Sequence, residues 1–340
     1  MDVMLALCFT LIAGVINGSY AFPTKYVKRW PFENTWMVFA LYTFIVTPWL
    51  FLLSLNLNAI QVYLHAPHPL LWALLVGGVL FGCGQIGFAF AIGRIGMGLA
   101  FVINIGVSTA LGSILPYVMM HGHREVHEST VVTLIGVLVI VAGLALSYFA
   151  GKRRDQHLPH LQVQAGRYLL GVVAAFIAGL GSAGQNYTFA TTAPMQHLAA
   201  NYGLSPLASS FVIWPGFLLC SALPYVIHML VLNVKNKTFG AYLTAERRYY
   251  LIAILMAVFW FGSLVFYSKA SQLIGHLGPV VIWPLFMSLI ILTSNFWGWK
   301  VGEWQHADRR SKQLAVSGIC LFIVAVMLFA FAAYLAQLAL

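Results

Sequence analysis

The sequence predicts an all-α integral membrane protein: ten transmembrane helices arranged as two inverted five-helix repeats. Three observations carry this prediction: apolar density, the grouping of apolar residues into ten long runs, and the basic residues between those runs. Hydrophobic residues make up 61% of the 340-residue chain and charged residues 8%, with a mean hydropathy of +0.87. The hydrocarbon core of a bilayer is about 30 Å thick, so a spanning helix needs about 20 apolar residues. Runs of that length fall at 4–22, 36–56, 70–92, 97–120, 131–150, 168–190, 206–232, 249–271, 278–298 and 313–338. Backbone at membrane depth must satisfy its hydrogen bonds internally, which leaves helices or a closed barrel. The runs are continuous rather than alternating and about twice the length of a barrel strand, which excludes the barrel.

Taken in order, the first run lacks a basic leader and an obvious cleavage site, so it is kept as span one. The third and fourth runs are joined tightly at Ile95-Gly96, and the eighth and ninth at Ile274-Gly275. Five and five spans divide at the basic stretch 151–166, giving repeats over 1–150 and 167–340 joined by a cytoplasmic linker. Ile12-Ala13-Gly14 in span one recurs as Ile177-Ala178-Gly179 in span six. An odd number of spans per half makes the halves inverted, an arrangement that places a substrate site near the midplane between them. The longest linkers, 151–166 and 233–248, are too short for a folded extramembrane domain. Pro48, Pro116, Pro215, Pro224 and Pro284 fall inside spans, where they kink helices.

The net charge of +10 would suggest nucleic acid in a soluble chain. Here it reflects loop residues that fix topology and meet anionic lipid headgroups, with no nucleic-acid partner. Of the 18 Lys and Arg residues, 16 follow odd-numbered spans, leaving Arg124 and the intramembrane Lys269. The positive-inside rule then puts those loops in the cytoplasm and both termini outside. Cys8, Cys83, Cys220 and Cys320 lack metal or redox spacing and read as small apolar residues. His121, His123 and His127 stand beside Glu125 and Glu128 in a loop and read as solvated side chains. No metal site, cofactor or nucleophile–base pairing is expected, and the glycine-rich turns lack the Gly-Lys-Ser/Thr of a phosphate loop.

Several stretches stand out at consistent spacing: Asn17-Gly18-Ser19-Tyr20-Ala21-Phe22-Pro23-Thr24-Lys25-Tyr26, Lys28-Arg29-Trp30, Glu33-Asn34-Thr35-Trp36 and Arg94-Ile95-Gly96-Met97-Gly98. The second half adds Ser182-Ala183-Gly184, Ala193-Pro194-Met195, Gly203-Leu204-Ser205-Pro206, Glu303-Trp304 and Arg309-Arg310. Together they resemble the L-rhamnose–proton symporter family of the drug/metabolite transporter superfamily. The resemblance implies uptake of L-rhamnose or a similar 6-deoxyhexose with a proton across a bacterial inner membrane. This sequence departs from the family in one place. Where well-studied members carry a carboxylate early in span nine, it has Pro279, Val280 and Val281. Its eight acids all lie at span ends or in loops.

A neutral sugar needs amides to read its hydroxyls and aromatic faces for its C–H surface. Polar residues inside a membrane usually face the bundle interior. The candidates are Asn17, Gln85, Asn104, Gln185, Asn186 and Asn295, with Tyr20, Tyr187, Trp214, Trp260, Tyr267 and Trp283. Amides also join helices, and Trp and Tyr also form interfacial belts. Lys269 and His276 are the candidates for proton coupling, although a lysine near a helix end also snorkels to the interface. Two other functions stay open: an exporter or facilitative permease for another small metabolite, and an intramembrane enzyme acting on a lipid-linked substrate.

Overall fold

A computed structural model of the chain describes residues 2–121, 128–155, 165–302, 304, 305 and 307–338. The described residues are nearly all helical and contain no strand. Nine stretches among them are long and apolar enough to cross a membrane. One of the nine, Arg247–Lys300, is 54 residues long and is interrupted by a 3₁₀ turn at Gly275–Leu277. His123, His127 and Glu125, the side chain of His121, Glu303, and residues 156–164 of the expected linker lie outside the described residues.

The chain opens with α1 (Asp2–Ser19), then α2 (Phe32–Ala40) and α3 (Thr47–Leu55). A π-helical segment, Leu41–Val46, joins α2 and α3 into one span. Pro48 accounts for that irregularity: it has no N–H for the carbonyl of Phe44, and its ring crowds the preceding turn. A short helix α4 (Ala59–His65) leads into α5 (His68–His121), which is followed by α6 (Glu128–Asp155) and α7 (Ala165–Thr191). After the short α8 (Pro194–Asn201) come α9 (Pro206–Phe211) and α10 (Ile213–Asn236), broken at Val212 ahead of Pro215. The hydroxyl of Tyr63 on α4 enters this break, donating to Val212 O and accepting from Gly216 N–H at 3.1 Å. It replaces one rung of the helical ladder. The second half ends with α11 (Gly240–Thr244), α12 (Arg247–Ile274), α13 (Gly278–Lys300) and α14 (Arg309–Leu338).

Two of these helical stretches reverse direction. Gly77 and Gly112 would stand about 50 Å apart in a straight α5. Yet a Cβ on Gly77 would lie 2.0 Å from Thr188 Oγ1, while Asn186, two residues away, donates to Gly112 O at 2.7 Å. The two ends of α5 therefore pack along the same part of α7. Likewise α1 meets both sides of the Gly275 turn: Asn17 bonds Ser263 at 2.7 Å, and a Cβ on Gly14 would lie 2.3 Å from Leu289 Cβ. The turn needs glycine at two places. Gly275 has φ +78°, and a Cβ on Gly278 would lie 2.0 Å from Ser271 O.

The connections gather at two ends of the bundle. At one, Trp30 bonds Ala241 O at 3.2 Å, Asn34 bonds Thr238 O at 3.1 Å, and Arg153 pairs with Asp308 at 2.9 Å. Most of the basic residues lie there, and we call it the basic end. The Ser311 hydroxyl, and then the Arg153 guanidinium, hold the Asp308 carboxyl below the usual carboxylate range. At the other end, Asn56 bonds Gly203 O at 3.0 Å and Asn58 bonds Tyr202 O at 3.4 Å. Cys8, Cys83 and Cys320 are exposed on the bundle surface, and all four cysteines are free.

Candidate functional site

The helices enclose a cavity of about 450 Å³ that reaches the basic end. After α1, a 3₁₀ turn at Phe22–Tyr26 begins with Pro23 near its start and wraps Tyr20, Phe22 and Thr24 around the opening. Tyr20 stacks on Phe39 at 5.6 Å, and Trp36 meets the same ring edge-on at 5.1 Å. Opposite them, Phe22 stacks on Trp297 at 4.1 Å. The Trp297 indole is fixed by donating to Ser19 Oγ at 2.8 Å. Gln85 from α5, Tyr225 from α10 and Ser294 from α13 add to the polar lining. Among the described residues that line this cavity, Lys25 is the sole charged one. The volume falls within the roughly 300–1,000 Å³ of small-molecule sites.

Deeper in the bundle the aromatic rings pack against one another. Phe44 meets Tyr225 edge-on at 5.6 Å and Trp260 at 5.9 Å, which places the half-buried Trp260 just beneath the cavity. Beyond lies a sealed belt in which Trp214, Tyr267, Trp283 and Asn186 are all fully buried. Trp214 donates to Ser268 Oγ at 2.5 Å, and Trp283 donates to Ser108 O at 3.1 Å. The Tyr267 hydroxyl donates to Asn186 Oδ1. On the far side of the belt a second cavity, of about 570 Å³, is lined by Gln196, His197, Ser271, Gln272, His276 and Pro279 among others.

The structure separates the sequence candidates into groups. Tyr20 and Gln85 line the basic-end cavity. Asn17 is buried and bonded to Ser263. Asn104 is also buried, and its Oδ1 accepts from Ser182 at 3.4 Å. Gln185 is 4% exposed and its Nε2 has no partner. Asn186, Trp214, Tyr267 and Trp283 form the belt and line neither of these two cavities. Tyr187 stands apart: it is 38% exposed, because one residue along a helix turns a side chain by about 100° from its neighbour Asn186. Asn295 donates back to Ile291 O at 2.9 Å and lines a smaller cavity of about 230 Å³ beside Arg154. His276 lines the far cavity. The half-buried Lys269 donates to Gln272 Oε1 at 2.8 Å.

Sequence reasoning passed over Trp36, Phe22, Tyr225 and Trp297, all of which line the basic-end cavity. Trp36 and Phe22 lie within motifs that carried the resemblance, which was the available signal. Trp297 sits toward a span end, where an aromatic side chain ordinarily reads as part of an interfacial belt, and Tyr225, midway along α10, has no local feature that separates it from a packed aromatic.

A model of the family described as L-rhamnose-proton symport protein matches residues 1–335. The chain belongs to the L-rhamnose–proton symport family. Among relatives within that family, the L-rhamnose-proton symporter of Escherichia coli O1:K1 is 24% identical over 327 residues, covering 93% of this chain and 94% of its own. The L-rhamnose-proton symporter of Shigella dysenteriae serotype 1 is 25% identical over the same shares. One solved crystal structure covers 98% of this chain and 96% of its own, with a TM-score of 0.56 and 15% identity, a likeness of fold alone. Membership in the symport family makes this chain a multi-pass membrane transporter and not an enzyme.

Proposed function

We propose that this chain imports L-rhamnose, or a closely similar 6-deoxyhexose, across the bacterial inner membrane by proton symport. The observation that carries the sugar reading is the basic-end cavity, walled by Tyr20, Trp36, Tyr225 and Trp297 with the amide of Gln85; its described lining residues include no carboxylate, and Lys25 is the one charged residue among them. A 6-deoxyhexose presents hydroxyls to an amide, and C–H faces and a methyl group to aromatic rings. It carries no charge that needs a counter-ion. Tyr20 and Gln85 contact the sugar directly in this reading. Trp260, Asn17, Asn104 and Gln185 support it from below, and the belt residues meet it when the far end opens.

The same reading takes the fold as ten spans in two inverted repeats, 1–150 and 167–340. The turn that interrupts the 54-residue stretch Arg247–Lys300 supports the tenth span. In the second span of each half, the helix is irregular just ahead of a proline, at Leu41–Val46 before Pro48 and at Val212 before Pro215, which supports the duplication. The positive-inside rule makes the basic end cytoplasmic and puts both termini outside. The cavity at Tyr20 then faces the cytoplasm, and the one at His276 faces outward.

Among the described residues that line the two cavities there is no carboxylate for proton coupling to use. His276, on the outward side, carries an imidazole, the group whose ordinary titration falls between pH 5 and 8. Lys269, tied to Gln272 nearby, is the second candidate. Pro279 in place of the family's acid favours one alternative, facilitated diffusion of the sugar without a proton. The sugar reading is tested by uptake of labelled L-rhamnose into proteoliposomes in competition with unlabelled sugars. L-Rhamnose and other 6-deoxyhexoses should compete best, and equal competition by charged metabolites would contradict the assignment.

A further inference from the structure

Pro116 has no backbone N–H, so the carbonyl four residues earlier in α5, that of Gly112, lacks its helical donor. Inside a bilayer such a carbonyl must find another partner. Asn186 provides one. Its Nδ2 donates to Gly112 O at 2.7 Å and to Pro279 O at 2.7 Å, and its Oδ1 accepts from the Tyr267 hydroxyl. A single side chain on α7, with no solvent exposure, thus ties together α5, α12 and α13. Few residue types can do this, because the position needs two donors and an acceptor without a charge. Packing reinforces the tie: a Cβ on Gly112 would lie 2.4 Å from Trp283 Nε1, so only glycine lets that indole lie against α5.

The tie also lies where a gate is required. Pro279, whose carbonyl Asn186 holds, lines the cavity at the histidine end, and Phe189, one turn along α7 from Asn186, lines it too. The basic-end cavity lies across the belt. We propose that Asn186 is the latch that seals the belt beneath the histidine-end cavity in this state, and that it must release Gly112 and Pro279 before that cavity can open through to the other side. Asn186 is a positioning residue in this role, since it holds helices and touches no substrate while the latch is shut. The inference rests on the transporter reading, because only a carrier that opens alternately at its two ends needs such a latch.

The test uses purified full-length protein in detergent, with Cys8, Cys83, Cys220 and Cys320 replaced. Single reporters, Ala190→Cys at a buried position lining the histidine-end cavity and Ala89→Cys in the basic-end cavity, react with a water-soluble maleimide. Asn186→Leu removes all three hydrogen bonds, and should raise the Ala190→Cys rate about tenfold while slowing Ala89→Cys by a similar factor. Pro116→Ala returns an N–H to the Gly112 carbonyl and loosens one arm of the latch without removing any helical bond. It should move both rates in the same two directions, by about threefold, and it decides the matter if Asn186→Leu does not fold. Unchanged rates in folded protein, or rates that rise together at both ends as general loosening would produce, overturn the latch. Sugar uptake by the unmodified protein is measured in parallel. If uptake is absent while the opposed labelling shifts persist, the sugar assignment fails and the latch stands.

Discussion

Toward the basic end, aromatic side chains stand around a void: Tyr20, Trp36 and Trp297 each rest on a neighbouring ring or hydroxyl and turn their remaining surface to the cavity. In the belt the same kinds of side chain leave no surface free. Trp214, Tyr267 and Trp283 are fully buried, and each polar atom they carry is already bonded to the protein. The difference shows that residue type does not mark a binding site in a membrane bundle. What marks it is whether the hydrogen-bonding and stacking capacity of the side chains is spent on the protein or left over.

The largest effects should therefore fall on different observables in the two regions. Trp283→Ala empties a packed position and should destabilise the fold by about 3–5 kcal/mol, read as a lower melting temperature and poor expression. Trp297→Ala and Gln85→Leu should leave melting nearly unchanged but weaken the apparent affinity for sugar about tenfold, since a lost hydrogen-bonding or stacking partner costs about 1–3 kcal/mol. Melting curves and uptake kinetics on the same preparations check both. Equal thermal losses in the two regions would break the comparison.

An intermediate effect is expected at the histidine end. Under an imposed pH gradient, His276→Gln should lower sugar accumulation severalfold while leaving downhill entry of sugar intact. Lys269→Met should do less, because its ammonium already donates to Gln272. If both variants accumulate sugar as well as the wild type, neither residue carries the proton.

The smallest effect belongs to the tie between Arg153 and Asp308 at the basic end. The Asp308 carboxyl is held below the usual range, first by Ser311 and then by Arg153, so the charged form favours the folded state. Its contribution is full above about pH 4, where an unfolded aspartate ionises, and is lost as the pH falls further. Asp308→Asn should lower the melting temperature slightly at pH 7, and the difference should close in stronger acid. A difference that grows on acidification would contradict the assignment.

Much of the architecture was legible in the chain, because bilayer thickness and backbone hydrogen bonding leave long apolar runs few options. The turn at Gly275 showed in the sequence as a tight connection between two apolar runs at Ile274-Gly275. The site was legible only in part. Gln85 stood out because an amide deep in a span needs an explanation, and Tyr20 was a candidate as an aromatic with a polar tip. Asn186 was a candidate too, yet it donates to backbone carbonyls, and a missing N–H at Pro116 seventy residues away is invisible to local pattern. Tyr187 was misplaced because a polar aromatic beside a buried amide shares its neighbourhood in sequence but not its helix face. Trp36 and Trp297 were passed over because their position near span ends made the interfacial reading sufficient.

Sugar entry is proposed to be coupled to a proton although no acid stands among the described residues that line either cavity. This coupling is tested most directly by labelled L-rhamnose uptake into proteoliposomes of the purified protein, with and without a pH gradient that is acid outside. Proton coupling predicts accumulation above equilibrium with the gradient, collapse of that accumulation when a protonophore is added, and equilibration only without a gradient. Uptake that reaches the same equilibrium level under all three conditions would contradict it, leaving a facilitative sugar permease.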